Sequence, residues 1–338
     1  MKITHIALAA AAAVGTFAAT SASAMETLNF GIISTESTTN LKQEWVPFIE
    51  AMEKQTGLKV RPFFAPDYAG VIEGMRFNKV QVAWFGNKSA MEAVDRSGGA
   101  IFAQSTDPQG GTGYWSHVLV HKDSPISSVA ELLKKAPELS FGNGDPNSTS
   151  GYLVPGYYVF AQNGITDPKK VFKRVVSANH ETNALAVANK QVDAATNNNE
   201  NLDRIKDRQP DKFNQIKIIW TSPLIPSDPI VWRKDLPKDI SEKVYTFFMT
   251  YGVPAPGKSQ EQVKQEVQVL GGLKWGPFLP SNDDQLLPIR QLELFKSKSK
   301  LEADATLPAA EKAAKLAEIN GKLAALEKKM AMMQAAKK

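Results

Sequence analysis

Short apolar runs alternate along this chain with longer stretches whose apolar positions recur every three to four residues. Residues 28–33 and 60–64 read as strands, 45–52 as the apolar face of a helix, and 69–77 as a second helix. A strand over 80–85 is stopped by Gly86, and another helix opens near Ser89. This alternation predicts an α/β fold, in which a ligand-facing edge lies at the carboxyl ends of the strands.

The glycine-rich loop 107–113 interrupts that rhythm, and a strand over 114–121 leads into a second α/β series. The second series contains strands at 139–141, 171–177 and 192–196, a helix after Ser150, a helix over 183–189, and a last strand at 216–220. Pro223, Pro226 and Pro229 then punctuate an extended return over 228–232. Two crossings predict two lobes joined by a hinge, the first from residues 25–118 with 228–300 and the second from 119–227. Pro155 lies too deep in a helix capped at Ser148 to occupy its first turn, so that helix should kink or start late.

The ends of the chain differ from its middle. Lys2, an apolar run over 6–19 and the small residues Ala22, Ser23 and Ala24 match a secretory signal with cleavage after Ala24. No later segment approaches the ~20 apolar residues of a spanning helix. With no cysteine there is neither a disulfide framework nor an N-terminal cysteine to lipidate, so the expected location is free in a bacterial periplasm. Removing 24 of 338 residues leaves 314, enough for two domains of ~150 residues. The formal charge of +5 is spread among acids without interleaved aromatics and gives no nucleic-acid footprint. Beyond Asp304, Leu316, Ile319, Leu323, Leu326, Met330 and Met333 form a stripe at three-four spacing, predicting an amphipathic helix over 301–338. That stripe needs a partner, either the body of the same chain or the matching helix of a second subunit; the remaining alternative is a frayed, partly disordered tail.

Candidate chemistry concentrates after the predicted strands. Within 142–151, Ser148, Thr149 and Ser150 can aim hydroxyls and helix-start amides at one set of oxygens, as a cradle for phosphate, phosphonate, sulfate or carboxylate. The same residues fit an ordinary N-cap. Tyr68, Tyr114 and His180 each sit where a side chain could donate to such an anion, although each alone also fits packing. Glu200 and Asp228 are carboxylates beside strand ends. In an anion site they make sense if the ligand carries a cation at its other end, a zwitterion; helix capping is the plainer use.

No spacing argues for a metal-binding carboxylate cluster, a Schiff-base lysine, an activated nucleophile or a P-loop, so neither catalysis nor a cofactor is expected. Two tyrosines, a histidine and a carboxylate also make the ligand set of periplasmic ferric-ion carriers, and Tyr157 beside Tyr158 adds to that alternative. A hydroxyl cradle is surplus to a metal site.

Four stretches carry a resemblance: residues 29–36 (NFGIISTE), 64–70 (FAPDYAG), 142–151 (GNGDPNSTSG) and 180–190 (HETNALAVANK). They resemble the periplasmic phosphonate-binding proteins of bacterial phosphonate ABC importers, and the likeness runs over about residues 28–300. It implies the two-lobed periplasmic binding fold, uptake of 2-aminoethylphosphonate and related alkylphosphonates, and delivery to a membrane permease and its ATPase. By that resemblance Tyr68, Tyr114, Ser148, Thr149, Ser150 and His180 hold the phosphonate, while Glu200 and Asp228 receive the amine. Asn199 and Ser227 precede those acids where a family member has threonine and glycine, which implies a differently tuned amine pocket. The linker over 254–270 also reads as longer. Family members can pair through the C-terminal helix, and a phosphite or phosphate receptor of the same fold is the alternative function.

Overall fold

The computed structural model describes residues 27–335, so the predicted signal at 1–24 lies outside the described residues. The first lobe is built on a six-stranded sheet in the order Gly276–Pro280, Gly99–Thr106, Pro229–Arg233, Val82–Trp84, Leu28–Ile32, Val60–Phe64. Leu28–Ile32 runs parallel to both Val60–Phe64 and Val82–Trp84, and the returning strand Pro229–Arg233 runs antiparallel between Val82–Trp84 and Gly99–Thr106.

The helix Thr38–Thr56 shows how the sequence sets this lobe. Ser37 caps its start, accepting from Asn40 N at 3.3 Å, and Gly57 ends it in the left-handed region at φ 69°. Between them Leu41, Trp45, Phe48, Ile49 and Met52 recur on one face and are all buried. Trp45 meets Trp84 and Trp275 at ring-centroid distances of 5.3 Å each. Each such side chain contributes about 1.5–3 kcal/mol by leaving water, so this face alone fixes the helix to the sheet.

The second lobe has a five-stranded sheet in the order Ile216–Thr221, Ser116–His121, Ala194–Asn198, Ser140–Asn143, Arg174–Ser177. Phe141, Phe160 and Phe172 pack on one face and Leu119, Val187, Leu202 and Ile205 on the other. A two-stranded ribbon, Gly113–Tyr114 against Ile225–Pro226, joins the lobes. Ser116 already pairs with Asn198, so the first crossing lies at 113–115 and not at 118 as the sequence suggested; pairing across the sheet, not local polarity, sets where that strand begins.

Three further expectations are corrected. The helix after Ser150 consists of π-helical turns, Thr149–Leu153 and Gly156–Phe160, on either side of Pro155, so the wider turn absorbs a residue that cannot donate. The stretch 254–270 is largely the helix Gln260–Gly272, capped by Ser259, which accepts from Gln262 N at 3.1 Å. The C-terminal segment is a hairpin of two helices, Leu287–Ala303 and Ala309–Ala335, separated by a turn in which Thr306 N donates to Asp304 Oδ1 at 2.8 Å.

The first of these helices spans both lobes: Arg290 pairs with Asp95 at 2.6 Å on one side, while Phe295 stacks on Tyr157 at 5.8 Å and Lys296 Nζ lies 4.3 Å from the Tyr152 ring on the other. The second folds back along the first, with Leu323 buried and Leu316, Ile319, Leu326, Met330 and Met333 half-buried. Lys329 pairs with Asp284. The apolar stripe is thus seated on its own chain. Among the described residues no helix is long and apolar enough to cross a membrane.

Candidate ligand-binding site

All eight residues singled out from the sequence line one cavity of about 10 Å³ between the lobes, together with Ile33, Thr35, Trp84, Gly86, Asn198, Asn201 and Arg204. The lobes are closed on each other, with Thr149 bonded to Lys88 N and Arg204 paired with Glu36 across the cleft, and a cavity of that volume holds about one water molecule, so a larger ligand needs the lobes to part.

The cradle follows the strand Ser140–Asn143. Gly144 N donates to Gly151 O at 3.0 Å, and the backbones approach so closely that a Cβ at Gly144 would lie 2.5 Å from the Gly151 carbonyl carbon. The three hydroxyls that follow all act as acceptors. Ser148 Oγ accepts from Gly151 N at 2.9 Å, Thr149 Oγ1 from Lys88 N at 2.9 Å, and Ser150 Oγ from Asn198 Nδ2 at 3.1 Å. A hydroxyl used as an acceptor still has its O–H to give, so the loop presents three donors. Ser148 is therefore an N-cap, and that use does not exclude its O–H from donating into the cavity.

Thr149 plays a second part. The helix Asn87–Arg96 of the first lobe starts after Gly86, which has no side chain to cap it. Thr149, from the second lobe, accepts the Lys88 N–H instead and so caps that helix from across the cleft.

His180 opens the helix His180–Ala188, with Asn179 as its cap. Its Nε2 lies 3.3 Å from Ser148 Oγ, 3.5 Å from Ser150 Oγ and 3.3 Å from Asn198 Nδ2; its Nδ1 is buried without a hydrogen-bond partner among the described residues. Burial, helped by the Arg204 charge, pushes the imidazole down to about 4, which keeps it neutral. Tyr68 begins the helix Tyr68–Arg76, and Tyr114 lies in the crossing ribbon. Burial pushes both phenols well above their ordinary value, reinforced by Asp145 and Asp228 at Tyr68 and by Asp228 and Glu200 at Tyr114. They stay protonated and can donate.

Two acids share the cavity. Glu200 is in the first turn of Asn199–Arg208, whose cap Asn198 accepts from Asn201 N at 2.8 Å. Asp228 precedes the strand Pro229–Arg233; its Oδ2 accepts from Trp84 Nε1 at 3.0 Å, and its backbone oxygen accepts from Ser105 N at 2.9 Å. Asp228 Oδ1 is buried without a partner among the described residues. Burial raises both carboxyls, Asp228 further through the charge of Glu200, while Arg204 opposes the rise at Glu200.

The sequence reading missed Arg204. It is buried, pairs with Glu36 at 3.8 Å and Glu44 at 3.6 Å across the cleft, and donates to Leu273 O at 2.9 Å. Arg208 reaches the same two glutamates. A signal existed, because Glu200 and Arg204 stand four apart on one helix face. Trp84 and Asn198 were missed as well; they end the strands Val82–Trp84 and Ala194–Asn198. Among the described residues no group of three or more His, Cys, Asp or Glu could hold a metal ion.

Comparison with known proteins places the chain in a family. Residues 30–286 match the family model described as ABC transporter, phosphonate, periplasmic substrate-binding protein. The chain is 57% identical over 301 residues to the phosphonates-binding periplasmic protein of Escherichia coli K12, covering 89% of this chain and 86% of that protein. It superposes on the crystal structure of a binding-protein component of a phosphonate ABC transporter from Pseudomonas aeruginosa with a TM-score of 0.86 and 56% identity, covering 91% of this chain and 99% of that one. It is also 30% identical over 235 residues to a phosphate-import protein of Mycolicibacterium smegmatis, covering 66% of this chain and 71% of that protein.

Proposed function

The chain belongs to the periplasmic substrate-binding proteins of phosphonate ABC transporters, and we propose that its cavity captures a zwitterionic phosphonate, 2-aminoethylphosphonate foremost. It is a binding component and not an enzyme, as its relatives are. The observation that carries the ligand is the mixed lining of the cavity. Neutral donors from Tyr68, Tyr114, Ser148, Thr149, Ser150 and His180 share it with two acids, the half-buried Glu200 and the buried Asp228. Donors suit phosphonate oxygens, and the Asp228 oxygen that lacks a partner suits an ammonium.

Phosphate or phosphite would use the donors but bring no cation to the two carboxylates, leaving Arg204 as their only nearby positive charge among the lining residues. Among the described residues no group of three or more His, Cys, Asp or Glu could hold a ferric ion, and the hydroxyl run would be surplus to one. In this reading the leader at 1–24, cleaved after Ala24, sends the chain to the periplasm, and the closed, liganded form engages the permease and its ATPase.

Titration calorimetry of Glu200→Gln and Asp228→Asn tests the assignment. Each should weaken 2-aminoethylphosphonate by about 2–4 kcal/mol while changing methylphosphonate little. Equal losses for the two ligands would overturn the amine site, and tighter phosphate than phosphonate binding by the unaltered protein would overturn the ligand.

A further inference from the structure

Two arginines of one helix cross the cleft, and they are held differently. Arg208 takes the close positions on Glu36 and Glu44, leaving Arg204 at 3.8 and 3.6 Å from the same carboxylates. Arg204 Nε is buried without a hydrogen-bond partner among the described residues, and the short bond of its guanidinium is to Leu273 O at 2.9 Å. This second cation is therefore buried but held to the two glutamates only by long ion pairs, and it lines the same cavity as Glu200 and Asp228. Glu200 lies one helical turn before it, with the acid N-terminal to the base, the orientation that pairs well along a helix.

We propose that Arg204 is a specificity-determining residue: an internal counter-cation that stands in for the ligand's amine when the ligand has none. The proposal rests on the amine reading of Glu200 and Asp228. With an aminoalkylphosphonate bound, the ammonium serves the two acids and Arg204 stays with Glu36 and Glu44. With a ligand that lacks the amine, closing the lobes buries Glu200 and Asp228 together without an external cation, a costly arrangement. Arg204 then gives up its loose contact with Glu44 and leans toward Glu200. The receptor accepts plain alkylphosphonates because the missing charge is already in the wall, and its preference for an amine is smaller than the acid pair alone would give.

The readout is the ratio of Kd for methylphosphonate to Kd for 2-aminoethylphosphonate, measured by calorimetry in the mature chain. Arg204→Gln removes the stand-in and should raise that ratio about tenfold, because the amine-free ligand loses more. Arg204→Lys keeps a cation on a flexible stem and should stay within about threefold of the unaltered ratio. Glu44→Gln loosens the tether and should move the ratio the opposite way, downward. An unchanged ratio in Arg204→Gln, with both ligands weakened alike, would make Arg204 a plain interlobe contact and overturn the proposal. If Arg204→Gln does not fold, Glu44→Gln decides, and a ratio that is flat or raised there overturns it too. A ratio near one in the unaltered protein would instead remove the amine reading on which the proposal stands.

Discussion

Replacing Thr149 by valine removes two hydrogen bonds at nearly constant volume, and both belong to the closed form. Thr149 Oγ1 accepts the Lys88 N–H of the opposite lobe at 2.9 Å, and in the proposed site its own O–H donates to the ligand. Orphaning a buried backbone N–H costs about 1–3 kcal/mol. Losing a hydroxyl donor to an anionic oxygen costs about 1.5–3 kcal/mol more. Even the low end of the sum, about 2.5 kcal/mol, weakens Kd more than about fiftyfold. When the lobes part, Lys88 N returns to water, so the first cost is felt in ligand binding and hardly at all in the melting temperature of ligand-free protein. Thr149→Ser keeps the oxygen and should bind within about threefold of the unaltered chain. Calorimetry with 2-aminoethylphosphonate, paired with thermal melts, measures both effects. Binding by Thr149→Val within threefold of the unaltered chain, or an equal loss in Thr149→Ser, would refute the reasoning.

Two other outcomes follow from the geometry. Gly144→Ala places a methyl 2.5 Å from the Gly151 carbonyl carbon, where backbone must shift to make room; stability should fall by about 1–3 kcal/mol and ligand affinity more than tenfold, and an unshifted melting curve would contradict the close approach. His180 is held near 4 against an ordinary 6.5, so the unfolded chain binds the extra proton between those values. Its contribution is complete above pH 6.5 and is lost as the pH falls toward 4, by about 3 kcal/mol in all. The raised carboxyls of Glu200 and Asp228 act with the opposite sign, so the measurement is a difference: chemical denaturation at pH 4.5 and 7 should show a shallower acid-side loss in His180→Gln, and matching slopes would refute the assignment.

Much of the site could be read from the chain because its residues stand at strand ends, where local pattern is informative. The hydroxyl run after Phe141, His180 before its helix, Glu200 after a polar run and Asp228 between prolines could all be located that way, and the structure brings them into one cavity. Arg204 escaped because its partners Glu36 and Glu44 lie far away in sequence, on the other lobe, and no periodicity reports a contact made by closure. The crossing at 113–115 was placed late for a similar reason, since Ser116 is drawn into the second sheet by Asn198. The π-helical turns around Pro155 break the 3.6-residue period from which helices are read, so a late start or kink was the most that pattern could give.

The helix Leu287–Ala303 is riveted to one lobe by Arg290 on Asp95 and to the other by Phe295 on Tyr157 and Lys296 over Tyr152. The crossing ribbon alone would let the lobes swing through a wide arc. With this helix laid across the back, any swing has to drag an aromatic face over its neighbour, and packed surfaces move between discrete seats more readily than they stretch. The helix is thus a second tether beside the crossing ribbon, and any change in the angle between the lobes has to shift or break one of its contacts.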